Sequence, residues 1–130
     1  MELAEASLFA TEWLAAWTGN EPEKLIAYYH EDAKYHDPAN PHGLFGHGEL
    51  RPYFTKLLGA NPDWVWKAAE VIPTAEGFVL KWTAGIPVGL HTVHETGLDI
   101  VEVQNGKITR NEVYFDTAAW ARARAERAGQ

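Results

Sequence analysis

The apolar pattern of this chain changes period partway along, and that change limits the folds open to it. From Ala6 to Trp17 the residues Ala6, Phe9, Ala10, Trp13, Leu14 and Trp17 recur at steps of three and four, which makes one face of a helix. Gly19 and Asn20 end that helix. Asn20 also suits the cap of a second one, which starts on Glu21, Pro22 and Glu23 and turns Leu25, Ile26 and Tyr29 inward. Ala33 to Asp37 alternates weakly and runs into Pro38, Pro41, Gly43 and Gly46, a set that predicts a loop. A third helix is predicted over Glu49–Leu58, with Pro52 near its first turn and Gly59 at its end.

Beyond residue 64 the period becomes that of strands. Trp64–Ile72, Phe78–Thr83, Thr92–Val103 and Ile108–Phe115 are rich in Val, Ile, Thr and aromatic residues. They are separated by Gly77, by Gly85–Gly89 and by Asn105-Gly106. The Asn-Gly pair is the sharpest local signal, because a tight hairpin needs positive φ at both central residues. Thr117 caps a final helix through Trp120 to about Arg127. Helices first and a meander of strands after predict an α+β fold, with helices on one face of an antiparallel sheet.

Composition then narrows the function. A chain of 130 residues fits one domain, 1–130, with one core. Its eleven Lys and Arg against eighteen Asp and Glu give a net charge of −7, which repels nucleic acid and anionic lipid. With no cysteine, thiolate catalysis, disulfides and Cys-ligated zinc are excluded. The first residues are acidic and no apolar run is long enough to span a bilayer, so the expectation is a cytoplasmic protein. Six histidines raise a metal question that their positions answer poorly. His91 and His94 are an odd number apart and face opposite ways on a regular strand, while His30, His36, His42 and His47 scatter over a helix end and a loop. No metal and no cofactor are expected.

Several local strings, taken in order, resemble the SnoaL-like and ketosteroid-isomerase-like family of the nuclear transport factor 2-like fold. They are Tyr35-His36-Asp37-Pro38, Gly43-Leu44-Phe45-Gly46, Lys81-Trp82-Thr83, Leu98-Asp99-Ile100-Val101, Asn105-Gly106-Lys107-Ile108 and Val113-Tyr114-Phe115-Asp116. No single string is specific, but their succession spans nearly the whole chain. The resemblance implies a cone-shaped curved antiparallel sheet packed against three N-terminal helices and enclosing a pocket, plus a C-terminal helix. It also implies a homodimer through the outer sheet face, where Leu98 and Ile100 supply apolar surface.

By this resemblance Asp37 matches a catalytic base and Asp99 a protonated oxyanion-hole acid. The isomerase's oxyanion tyrosine would fall at Trp13 and its supporting tyrosine at Phe54, so both phenols are missing from those places. A hydrolase branch of the fold places an arginine two residues before the strand aspartate. Gly97 stands there, which leaves an arginine from elsewhere in the chain as the open alternative.

The residues themselves allow two placements for each acid. Asp99 either faces a cavity, where a carboxyl is costly unless paired or protonated, or lies on an exposed strand face; Val101 shares its side. Asp37 before proline either faces the cavity or merely starts a turn. Glu95 has the parity of Asp99 and faces the same cavity, or else lies at a solvated strand end. Asn111, Val113 and Phe115 match pocket positions on the last strand, and Trp13, Trp17, Trp64 and Trp82 suit apolar walls.

The expected function is cofactor-independent acid–base chemistry on a small, largely apolar carbonyl or hydroxyl compound: isomerisation, aldol-type cyclisation or dehydration. The alternative is a non-catalytic ligand-binding or dimerisation domain, and a second alternative is epoxide-hydrolase-like activity.

Overall fold

The computed structural model describes residues 1–118 together with 121, 122 and 125. Helix α1 (Leu3–Ala15) buries Ala6, Ala10, Trp13 and Leu14, the stripe its spacing predicts. Helix α2 (Pro22–Ile26) is short, with proline in its first turn. Asn20 does not cap it. That residue sits at φ 56° and turns the chain, while Glu21 precedes the helix without a side-chain cap.

The segment expected to be a loop is a β-hairpin. Strand β1 (Tyr29–Asp37) pairs with β2 (Asn40–Phe45) around Pro38 and Ala39. Its proline-rich sequence is tolerated because β2 is the sheet's edge, where an absent N–H breaks no ladder. Helix α3 (Gly46–Ala60) starts three residues earlier than predicted and buries Leu50, Phe54 and Leu58. Glu49 secures its start by accepting the Phe45 N–H at 2.7 Å, and Pro52 consequently lies inside the helix.

Four long strands follow: β3 (Val65–Pro73), β4 (Gly77–Val88), β5 (His91–Gln104) and β6 (Lys107–Phe115). β4 runs on through Gly85–Val88, the stretch predicted to interrupt it, and pairs with β5 as far as Val88 opposite His91. The Asn105-Gly106 turn forms as its sequence requires, with φ of 54° and 76°.

The sheet order is β2-β1-β6-β5-β4-β3. It is mixed, not wholly antiparallel as predicted, because β1 runs parallel to β6. The cause is topological: β1 precedes α3 in the chain, and the last strand returns beside it, so the two meet with the same direction. The curved sheet and helices make an α+β architecture. Helix α1 packs on β3 and β4, and α3 on β1 and β2.

Strand periodicity now settles which faces point inward. On β4, Phe78, Leu80, Trp82, Ala84, Ile86 and Val88 are buried; on β5, Asp99 and Val101 are buried and Leu98 is exposed. Most of the final helix predicted through Trp120 to Arg127 lies outside the described residues. Thr117 does accept a hydrogen bond from the Ala121 N–H at 2.9 Å. Among the described residues, no helix is long and apolar enough to cross a membrane.

Candidate functional site

Helices α1 and α3 and the inner sheet face enclose a cavity of about 540 Å³, within the range of small-molecule sites. Asp37 and Asp99 both line it. Asp99 is buried there, whereas Asp37 is half-buried, also borders the outer groove and starts the hairpin turn by accepting the Asn40 N–H.

The two carboxyls are held differently. Asp37 ends β1 at the hairpin tip and accepts four hydrogen bonds. Its Oδ1 receives the Asn40 N–H at 2.8 Å and Asn40 Nδ2 at 2.9 Å; its Oδ2 receives the Tyr35 hydroxyl at 2.8 Å and the Tyr53 hydroxyl at 2.5 Å. An ionised carboxylate accepts all four, whereas a protonated acid would set its own O–H against one of these donors. Burial raises the Tyr35 and Tyr53 phenols well above their usual range, with the Asp37 charge and hydrogen bonds adding to it, so both stay neutral donors.

Asp99 sits mid-strand on β5, flanked by Leu80 of β4 and Val113 of β6. It is 4 % exposed. Trp82 Nε1 donates to its Oδ1 at 2.9 Å and Asn111 Nδ2 to its Oδ2 at 3.1 Å. The Asn111 carbonyl oxygen in turn accepts the Tyr29 hydroxyl at 2.8 Å, which fixes the amide's orientation. Burial pushes the Asp99 carboxyl up to about 7, the two donors pull against that shift, and the Asp37 charge adds to it. Two neutral donors do not replace the hydration a buried carboxylate loses.

Gly97 explains how the indole reaches Asp99. A Cβ at Gly97 would lie 2.2 Å from Trp82 Cζ2, so the ring lies flat over the strand where any other residue would project. Trp82 therefore fills the place from which the hydrolase branch extends its arginine. Among the described residues, no arginine lines the cavity.

The walls are aromatic. Trp64, Trp66, Trp82 and Phe115 form a continuous edge-to-face series, with successive centroids 5.6, 5.0 and 5.6 Å apart, and Trp17, Tyr35 and Tyr53 face them. Of the residues predicted for the pocket, Trp17, Trp82, Val113 and Phe115 line it, as does Trp64.

Five others fall outside the lining. Trp13 is wholly buried against Trp17 and Phe78, and Phe54 against Trp17, Tyr29 and Tyr35, so both support the cavity from the core. Val101 pairs with Phe78 and Asn111 below Asp99. Asn111 acts from behind the wall, through Asp99. Glu95 is buried on the Asp99 side of β5 but beyond Gly97; burial raises its carboxyl, with the Asp116 charge adding to it. Its Oε1 has no hydrogen-bond partner among the described residues.

Sequence reasoning missed the phenols at Tyr35 and Tyr53 as partners of Asp37. A signal existed for Tyr35, which lies two residues before Asp37 on a strand and so shares its side. Tyr53 carried none, because only folding brings α3 over the hairpin. Trp66, Leu14 and Leu57 were likewise unmarked.

The sheet and helices thus close over a cavity that two acids line. The model of the SnoaL-like domain matches residues 10–111, and this chain belongs to that family. No curated protein matches it.

Solved structures share the fold at low identity. A Shewanella putrefaciens protein assigned as a SnoaL-like polyketide cyclase superposes with a TM-score of 0.81 at 12% identity, covering 96% of this chain and 88% of that one. A hypothetical protein of ketosteroid-isomerase-like fold from Catenulispora acidiphila, in complex with trimethylamine, gives 0.75 at 17% identity and covers 85% and 87%. AclR from Streptomyces galilaeus, assigned as a hydroxylase, gives 0.77 at 14% identity and covers 96% and 98%.

Proposed function

We propose that this chain is a cofactor-independent acid–base enzyme, an isomerase, aldol-type cyclase or dehydratase, acting on a small, largely apolar carbonyl or hydroxyl compound. The observation that carries the reading is the convergence on one aromatic-walled cavity of two carboxyls held differently, Asp37 by four hydrogen-bond donors and Asp99 buried with two. Acid–base catalysis needs one group that takes a proton and one that gives it, each in the right state at working pH.

Asp99, its carboxyl pushed up to about 7, is protonated below neutrality and about half protonated at it, and in its protonated form donates to a substrate oxygen as negative charge develops there. Asp37, aimed by its four donors, takes the proton from the neighbouring carbon. Accepting it requires one phenol to turn its hydroxyl away. That cost restricts Asp37 to carbons already acidified by a carbonyl bonded to Asp99, which is the arrangement of enolisation. The polyketide-cyclase assignment of the Shewanella protein agrees with such chemistry, since aldol-type cyclisation passes through an enolate.

The test is deuterium exchange at carbon next to the carbonyl, across a panel of small ketones, enones and hydroxy-ketones. Exchange by the wild type and its loss in Asp37→Asn are expected. Tight binding of a panel member without exchange or turnover would instead favour the ligand-binding domain, a reading in which the saturated Asp37 carboxylate only shapes the cavity.

The oligomeric part of the proposal is a homodimer through the outer sheet face. A groove there is lined by Pro41, Lys81, Leu98 and Tyr114, and Leu98 and Tyr114 are 45% and 53% exposed. Light scattering is expected to give twice 14.5 kDa at micromolar concentration. A monomer mass would remove this part alone.

A further inference from the structure

Among the described residues, none neutralises the negative charge that the cavity carries. Every group among them bonded to Asp37 or Asp99 is a neutral donor: phenol, amide or indole. Among the described residues the ion pairs are Lys24–Glu21, Arg51–Glu23, Arg110–Glu102 and Arg110–Glu112, and none reaches either acid. No Lys, Arg or His lines the cavity among them. An ionised carboxylate facing a low-dielectric space without a counter-charge favours a cationic occupant.

The walls point the same way. Four of the chain's six tryptophans, Trp17, Trp64, Trp66 and Trp82, line this one cavity. Along the far wall each ring stands at 65 to 84° to the next, so their faces and edges box the space from several sides. Indole faces are the best aromatic partners for an organic cation, and cages of such rings hold quaternary ammonium groups. A purely apolar ligand needs neither the acids nor this surplus of indoles.

From the uncompensated acids and the indole walls we infer that the cavity selects a small apolar molecule bearing a tertiary or quaternary ammonium group. The ammonium sits against the indoles and near the Asp37 carboxylate, and the carbonyl or hydroxyl reaches Asp99. This rests on the reading of the cavity as the substrate site and names the class of substrate. Among the described residues, the ionisable groups lining the space are Asp37 and Tyr35 of β1, Tyr53 of α3 and Asp99 of β5; Tyr29, behind Asn111, is a raised phenol too. The phenols stay neutral, and the Asp99 carboxyl changes the cavity's charge near neutrality.

The experiment compares two probes of one shape in the wild-type protein, trimethylphenylammonium and its neutral isostere tert-butylbenzene, followed by calorimetry and tryptophan fluorescence. At pH 8.5 the cation is expected to bind about 10- to 30-fold more tightly, the scale of a desolvated cation–π contact. The margin should narrow at pH 5.5, where Asp99 is protonated, and Asp99→Asn should abolish that narrowing. Equal or tighter binding of tert-butylbenzene at pH 8.5, or no binding of the cation, overturns the inference. If proton exchange on neutral ketones is then intact, the acid–base reading survives without it. A cation preference in a protein that exchanges no protons leaves this inference standing and removes the enzyme.

Discussion

Asp37 and Asp99 line the same cavity from opposite kinds of ground. Asp37 lies at the tip of an edge hairpin, where backbone, amide and two phenols converge on it; Asp99 lies in mid-strand, where neighbouring strands satisfy the backbone and, among the described residues, two side chains reach the carboxyl. A carboxyl at a turn collects donors because local backbone N–H groups are free there. One inside a sheet must recruit them from side chains, and burial then raises its carboxyl. Position in the fold, more than residue type, sets how each acid is held.

The largest expected effect tests the division of roles. Asp37→Asn should lower turnover by about 10²- to 10⁴-fold, the usual worth of a general base, with affinity for a neutral ligand nearly unchanged. Turnover at the wild-type level in a folded variant would end the assignment of Asp37 as base.

Asp99→Asn should be milder, by roughly 10- to 1,000-fold, because an amide still donates to a developing oxyanion. The pH profile sharpens the contrast. Wild-type kcat/KM should fall as pH rises through about 7, where Asp99 loses its proton, and the variant should lack that limb. A limb unchanged in Asp99→Asn would mean that another group titrates.

Stability offers a probe independent of any substrate. The folded carboxyl of Asp99 titrates near 7 and the unfolded one near the usual carboxylate value, so the native state retains a proton that the unfolded chain gives up between about pH 4 and 7. Its stabilising contribution is complete below that window and is lost as pH rises through it, by about 4 kcal/mol in all. Asp99→Asn removes the slope. The variant should match or exceed the wild type at pH 8 and lose the advantage at pH 5, as read by chemical denaturation. An Asn variant markedly less stable at pH 8 would show that the ionised carboxylate is a structural partner.

The smallest effect concerns the phenols. Tyr53→Phe removes one of two donors to Asp37 Oδ2 and should cost about 1–3 kcal/mol in kcat/KM or stability, with Tyr35→Phe similar. If neither change moves turnover, the four-donor shell does not position Asp37 for catalysis.

Much of the fold was readable in sequence. The stripe of α1 and the Asn105-Gly106 turn follow from rules acting within a few residues, and both stand as predicted. The hairpin at 29–45 was hidden because Pro38, Pro41, Gly43 and Gly46 read as loop signals, while the edge position that tolerates them is set by strands far along the chain. The parallel pairing of β1 with β6 was hidden for the same reason.

At the site, the sequence singled out both acids and several wall residues, with the family resemblance tipping the balance. Parity placed Val101 on the side of Asp99 but left that side unassigned, since apolar residues flank both faces of β5. Asn111 was placed at the pocket, yet its amide works from behind the wall, and Trp13 and Phe54 ended in the core.

What the sequence determined by itself was three helices followed by four long strands, the absence of thiol chemistry and the acidic balance, because composition and local periodicity need no partner. Which face of β5 closes over the cavity, which phenols hold Asp37 and why an indole occupies the space above Gly97 were decided only in the tertiary structure. Burial and donor contacts arise between residues as far apart as Asp37 and Tyr53 or Trp82 and Asp99, and no local rule brings those together.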